Sequence, residues 1–263
     1  MLVDPTPKRM LRVYDGEQKG ATAFFRNRPL LRTIFENLPK KAEPRYRVLF
    51  HSVSIGAEAY SFAIHCHLTG AHSERKWDLY ATDLNPQFLH QAQQACYPVQ
   101  VLGGLTSAEQ VYFERVDEYQ VRPIDDIRRM VHFLTPTSFV NATFDDSFDL
   151  VMILNSLTYV SEAEQAQAIA NVSRYNTNLL VLSAFHPDTI ERDLRAVGYS
   201  PITDNIEAIH NAWEEKIMPD QAIGRGTPEY SWALPPFARI PGYEYKYCAL
   251  FRKGESLSPT EQC

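Results

Sequence analysis

The chain has 263 residues, 44% of them apolar and 22% charged, which is enough to bury a core and too few charges for a disordered, solvating chain. Thirty-two acidic against 26 basic residues leave a formal charge of −6 with no long basic block, which argues against general nucleic-acid binding through a cationic surface. No apolar run approaches the ~20 residues of a membrane-spanning helix, and Met1-Leu2-Val3-Asp4-Pro5 lacks the pattern of a secretory signal.

In chain order, residues 1–45 read as a helical arm packing on the core, with Ala23-Phe24-Phe25, Pro29-Leu30-Leu31, Ile34 and Phe35 as its contacts. Residues 46–263 read as one α/β domain. Tyr46 to His51 is a strand too continuously apolar to be half-exposed, as in a parallel sheet covered on both faces. A helix follows from about Ala57, with Tyr60, Ala63, Ile64 and Leu68 as one stripe and Gly70 just past its end. The unit repeats with a strand at Trp77 to Thr82 and a helix from Pro86 to about Ala95, capped by Asn85. Further strands are expected at Met130–Leu134, Phe148–Leu154 and Asn178–Ser183, and helices at Ser107–Val116, Glu162–Tyr175 and Asp188–Val197. Residues 204–245, rich in Pro, Gly and aromatics, read as a long lid or binding loop, and Tyr245 to Arg252 as a final strand. Strand and helix in alternation predict a parallel sheet with right-handed crossovers.

The four cysteines, Cys66, Cys96, Cys248 and Cys263, are scattered, which fits a reduced, cytoplasmic protein. His65 and His67 lie two apart on a predicted helix and point to different faces, so no metal site is expected there.

The chemistry concentrates in His51-Ser52-Val53-Ser54-Ile55-Gly56-Ala57-Glu58, between the first strand and its helix, where open α/β sheets bind ligands. A dinucleotide site would want three glycines for its pyrophosphate, and only Gly56 is present. One glycine followed by the carboxylate of Glu58 suits a ligand without phosphates and with a cationic end, such as the amino-acid portion of S-adenosylmethionine (SAM). The second strand ends Ala81-Thr82-Asp83, and an acid at that tip can accept both ribose hydroxyls. Each residue also has a plainer reading. Glu58 suits a solvated carboxylate complementing the helix dipole, and Asp83 an ordinary helix N-terminal residue.

An ordered series of segments over about residues 20–185 resembles the CheR family, SAM-dependent methyltransferases that esterify glutamates of chemotaxis receptors. The series runs from Thr22-Ala23-Phe24-Phe25-Arg26 through Gly56-Ala57-Glu58-Ala59-Tyr60-Ser61, Ala81-Thr82-Asp83 and Tyr97-Pro98. It continues with Tyr112-Phe113-Glu114-Arg115 and Val131-His132-Phe133, then Phe148-Asp149-Leu150-Val151 and Asn155-Ser156-Leu157-Thr158-Tyr159. The resemblance implies a Rossmann-like class I methyltransferase fold: a mostly parallel seven-stranded sheet, helices on both faces and a final antiparallel strand. It implies SAM as cofactor, S-adenosylhomocysteine as product, and cofactor contacts at Thr22, Arg26, Gly56, Glu58, Asp83, Asn155 and Ser156. Arg26 and Tyr159 fall at the methyl-transfer centre and acceptor pocket. For three of these the plainer readings stay open: Thr22 as a helix cap, Arg26 as a partner of a surface carboxylate, and Tyr159 as a core aromatic.

The sequence departs from the family at Gly20 (usually Asn), Ala57 (Glu), Ile153-Leu154 (Cys-Arg), Thr137-Ser138 (Asn-Leu) and Ser183-Ala184-Phe185-His186 (Gly-His-Ser-Glu). The family's N-terminal helical domain has no counterpart in the roughly twenty residues upstream of the arm. These departures cluster around acceptor recognition. The leading expectation is therefore a methyltransferase for a small-molecule or non-receptor protein acceptor, with no nucleic-acid or membrane partner. Chemotaxis-type protein-glutamate methylation and a non-catalytic SAM-binding module are the alternatives. No strong base constellation stands out, which favours a carboxylate or another intrinsically good nucleophile.

Overall fold

A computed structural model describes residues 10–16, 18–42, 45–144, 147–175, 177–183, 187–206, 208, 209, 212 and 250–254. The chain opens with a hairpin, β1 (Leu11–Asp15) and β2 (Gln18–Thr22), and enters helix α1 (Arg28–Asn37). Next come β3 (Arg45–His51), α2 (Ala57–Leu68), the short α3 (Ala71–Glu74), β4 (Lys76–Ala81) and α4 (Pro86–Gln94). An excursion through β5 (Tyr97–Pro98), α5 (Ser107–Gln110), β6 (Phe113–Arg115), β7 (Gln120–Pro123) and α6 (Asp125–Arg129) leads to β8 (Val131–Phe133). The remainder is β9 (Leu150–Leu154), α7 (Glu162–Arg174), β10 (Leu179–Ser183), α8 (Pro187–Ala196), β11 (Tyr199–Pro201) and β12 (Leu250–Lys253).

Seven strands form one sheet in the order β11-β12-β10-β9-β3-β4-β8. The pairs from β8 to β10 are parallel, and β12 runs antiparallel to both β10 and β11. This is the expected α/β sheet with its antiparallel last strand. Val48, Leu49 and Phe50 of β3 are all fully buried, as their unbroken apolar run requires. Alternation then splits the core in two. Val48 and Phe50 pack with Leu30 and Ile34 of α1 and Phe62 and Ile64 of α2. Leu49 packs on the other face with Ile169 and Val172 of α7 and Leu194 of α8. The chain builds outward from β3 to β4 and β8, then crosses back to β9 on the other side of β3. That reversal opens a crevice at the carboxyl ends of β3 and β9.

Two expected elements are corrected. The arm is not helical throughout, because Leu11 and Val13 alternate with exposed Arg12 and Tyr14 and pair with β2 through a turn at Gly16 (φ 57°). The helix expected over Ser107–Val116 stops at Gln110. A capping box, Thr106 with Glu109, starts it, but Phe113 onward pairs with β7, which in turn holds β5. The β-forming side chains Val111, Tyr112 and Phe113 favour that outcome. The start of the 204–245 segment packs against α1, where Asn27 Nδ2 donates to the Ile209 carbonyl (3.0 Å) and Asn205 donates to Thr33 and Glu36. Most of that segment, Tyr245–Ala249 of the expected last strand, and Ala184-Phe185-His186 lie outside the described residues.

Candidate functional site

The crevice is built from backbone that few side chains tolerate. Among the described residues, six non-glycines have a positive φ, and four of them surround it: Phe25 (47°), Ser52 (53°), Ser54 (52°) and Asn155 (58°). Gly56 (φ 87°) completes the turn into α2. A Cβ there would lie 3.0 Å from Tyr60, 3.1 Å from Ala92 and 3.3 Å from the Tyr97 hydroxyl. Both tyrosines are fixed, Tyr97 donating to the Ile55 carbonyl (2.6 Å) and Tyr60 to that of Ala92 (2.9 Å). Gly56 is thus required for the shape of the turn and for its fit against α4.

Asp83 stands at the tip of β4, buried, and Asn85 rather than Asp83 caps α4. Its Oδ2 accepts the Ser54 N–H (2.8 Å) and its Oδ1 the Asn85 N–H (2.9 Å). Burial pushes this carboxyl above the usual range while those bonds pull it back. An ionised carboxylate has about four lone-pair positions. The Ser54 and Asn85 N–H groups take two and the Leu84 N–H also bonds to this carboxyl, so acceptor capacity is left for a hydroxyl donor.

Thr22, Arg26 and Glu58 line one cleft with apolar Leu30, Leu31, Ile34, Phe62, Met152 and Leu154. Thr22 ends β2 and is no helix cap, since Asn27 caps α1. The arm is held here by Ser61, whose hydroxyl accepts the Phe25 N–H (2.8 Å) and donates to the Ala57 carbonyl (2.6 Å). Glu58 is not a solvated carboxylate: Oε1 is buried and has no hydrogen-bond partner among the described residues. Burial raises its pKa to about 8, and the nearby Arg26 charge acts in the opposite direction. Arg26 is lowered by burial and favoured in its charged form by Glu58 and Tyr159. It therefore faces a buried carboxyl, not a surface one. Tyr159 is 74% exposed, which excludes a core role.

Asn155 and Ser156 follow β9, whose Ile153 lies beside His51 of β3. The Asn155 N–H donates to Ser183 Oγ (2.9 Å), and that hydroxyl donates to Asn155 Oδ1 (3.0 Å), tying the tips of β9 and β10 together. The site residues thus form a cleft group (Thr22, Arg26, Glu58, with Tyr159 facing Arg26), a β4-tip group (Asp83 with Ser54) and a β9-tip pair. Sequence reasoning missed Ser54, whose backbone aims Asp83, and Ser61, although the Tyr60-Ser61 motif held the signal for the second. It also missed His51, fully buried between Phe144 and Tyr175, with neither ring nitrogen partnered among the described residues and its pKa lowered to about 3 by burial.

Two departures from the family pattern acquire reasons. A Cβ on Gly20 would lie 2.8 Å from Val13 of the adjoining strand. Ala57 is fully buried, where an unpaired carboxylate would be costly. Leu154 lines the cleft and makes it more apolar than an arginine would. His65 packs edge-on against Phe35, whereas His67 stacks on His72, so the two do point apart.

The buried Oε1 of Glu58, unpartnered among the described residues, and the acceptor capacity left on Asp83 fit the ammonium and ribose ends of SAM. Residues 20–187 match the family model described as CheR methyltransferase, SAM binding domain. No curated protein matches the chain. Among solved structures, the glycopeptide N-methyltransferase MtfA complexed with SAM is 13% identical, covering 67% of this chain and 78% of that one at a TM-score of 0.44. Its sinefungin complex is 15% identical, covering 72% and 81% at 0.45. Magnesium protoporphyrin IX methyltransferase (ChlM) from Synechocystis PCC 6803 with bound SAM is 17% identical, covering 65% and 64% at 0.38.

Proposed function

Because this chain belongs to the CheR methyltransferase family and is a SAM-dependent methyltransferase, we propose that its acceptor is a carboxylate on a small molecule or a protein other than a chemotaxis receptor. SAM, when bound, supplies a methyl group already activated by its sulfonium. Glu58 holds the cofactor's ammonium end, and Asp83 accepts from the ribose hydroxyls with the capacity that its backbone donors leave open. Gly56 shapes the turn beneath the nucleoside, while Asn155 and Ser156 form its wall at the β9 tip. Thr22 and Arg26 close the arm over the methionine end, and Tyr159 borders the acceptor.

The observation that carries the acceptor reading is the Arg26 guanidinium beside Glu58 in a largely apolar cleft. Arg26 brings positive charge to the lining of that cleft, and a guanidinium there favours an anionic acceptor. A carboxylate is ionised at neutral pH and needs no base, so aligning it in a desolvated site suffices. Residues 204–245 are proposed to select the acceptor as a lid, in a protein of the cytoplasm. Among the described residues no helix is long and apolar enough to cross a membrane.

Methyl-labelled SAM incubated with a cell extract and the protein should yield products that release volatile label in mild alkali. Arg26→Ala should raise the acceptor KM far more than the cofactor Kd. A base-stable label would overturn the carboxylate reading. Label on receptor glutamates would favour the chemotaxis-type alternative, and cofactor binding without any turnover the non-catalytic one.

A further inference from the structure

The hairpin β1–β2 lies almost wholly ahead of residue 20, where the family match begins. Two of its exposed side chains converge on one buried group. Asn85 Nδ2 donates to Asp15 Oδ2 (3.0 Å) and to Gln18 Oε1. The remaining polar atoms of Asn85 are also engaged. Its Oδ1 accepts the N–H groups of Gln87 (2.8 Å) and Phe88 (3.0 Å), and its own N–H donates to Asp83 Oδ1 (2.9 Å). One asparagine therefore joins the start of α4, the carboxylate at the β4 tip and the hairpin.

The second oxygen of Asp83 leads back to the same hairpin. It is held by the Ser54 N–H. Ser54 in turn lies against Gly20 of β2, where a Cβ would come within 3.0 Å of Ser54 Oγ and 3.1 Å of the Phe88 ring. Two of the backbone donors to Asp83, those of Ser54 and Asn85, are thus backed by one element. A carboxylate on a strand tip has free side-chain torsions, and what fixes it is the rigidity of the groups bonded to it.

We propose that the β1–β2 hairpin is a positioning element of the nucleoside site, bracing Asn85 and the Ser54 turn so that Asp83 keeps its open lone pairs on the sugar. The inference rests on Asp83 being the ribose-binding residue. It adds to that reading a support outside the family's matched region.

Asp15→Ala combined with Gln18→Ala removes both hairpin contacts while leaving the Asn85 cap on α4 untouched. By calorimetry, S-adenosylhomocysteine should bind this variant about five- to tenfold more weakly, the scale of one to two hydrogen bonds. An analogue lacking the 2′- and 3′-hydroxyls should lose less than about twofold, since the effect passes through Asp83. In an Asp83→Ala background the hairpin substitutions should cost nothing further, and Asp15→Asn, which keeps an acceptor, should retain most of the affinity. Unchanged affinity, or an equal loss for both ligands, would overturn the proposal. If Asp83→Ala itself fails to distinguish the two ligands, the ribose reading falls and this inference with it. If Asp83→Ala distinguishes them and the hairpin variant does not, only the hairpin's role is refuted.

Discussion

At the residue scale, Glu58 is the group whose charge the pocket controls. With its pKa raised to about 8, the carboxyl is mostly protonated at pH 7 in the ligand-free protein. An ammonium ligand needs the ionised form, so binding releases a proton below pH 8. The affinity for S-adenosylhomocysteine should therefore rise by about tenfold per pH unit from pH 6 toward 8 and then level. Calorimetry in buffers of different ionisation enthalpy would detect the released proton, and Glu58→Gln should flatten the profile. A pH-independent affinity in the unaltered protein would show that Glu58 does not meet the ammonium. Protein stability has the opposite sign. The folded pKa lies above the unfolded one, so the Glu58 contribution is complete at acid pH and is lost as pH rises through about 8. Glu58 and Asp83 were legible as candidates because acids after β3 and β4 suit a nucleoside. The forces that orient them were not, since the left-handed backbone of Ser52 and Ser54 carries no mark in side-chain chemistry.

At the element scale, the sequence was most readable where burial is two-sided. β9, β10 and the Val48–Phe50 centre of β3 are short apolar runs, and the ends of α2 and α4 are marked by Gly70 in the left-handed region and by Asn85 ahead of Pro86. The hairpin and the β5-β7-β6 sheet were missed because strands of two to five residues contain too few alternations to reveal a period. The turn between β3 and α2 allows a sharper test of how local sequence fixes an element. Gly56→Ala places a methyl group in a left-handed backbone, which costs about 1–2 kcal/mol, and presses it against Tyr60, Ala92 and the Tyr97 hydroxyl. Together these should lower stability by about 2–4 kcal/mol in urea denaturation and weaken cofactor binding with it. A loss below about 1 kcal/mol would mean that α4 yields to the methyl group and that the tight packing is not what demands glycine there.

At the scale of the whole molecule, the arm raises the question of whether it is a flap laid over the pocket or a layer of the fold. Leu30, Leu31 and Ile34 are buried at 2%, 8% and 0% exposure, and they belong to the same apolar cluster as Val48 and Phe50 of β3 and Phe62 of α2. Polar contacts bind the arm on both sides, with Arg28 clasping Glu109 of α5 (2.8 and 2.7 Å) and Phe25 bonded to Ser61 of α2. A flap could open with little effect on the sheet, whereas a layer must melt with it. Ile34→Ala removes buried methyl and methylene groups from that shared cluster and should cost about 2–5 kcal/mol. Because the cavity would border the sheet itself, the loss should appear as a lower midpoint of one cooperative transition, seen alike by far-ultraviolet circular dichroism and by tryptophan fluorescence. An unchanged main transition, with only cofactor affinity reduced, would instead make the arm a separate flap. The same distinction bears on the site. Thr22 and Arg26 can face Glu58 reliably only if the segment carrying them is as fixed as the helix it meets, and the burial of α1 supplies that fixity.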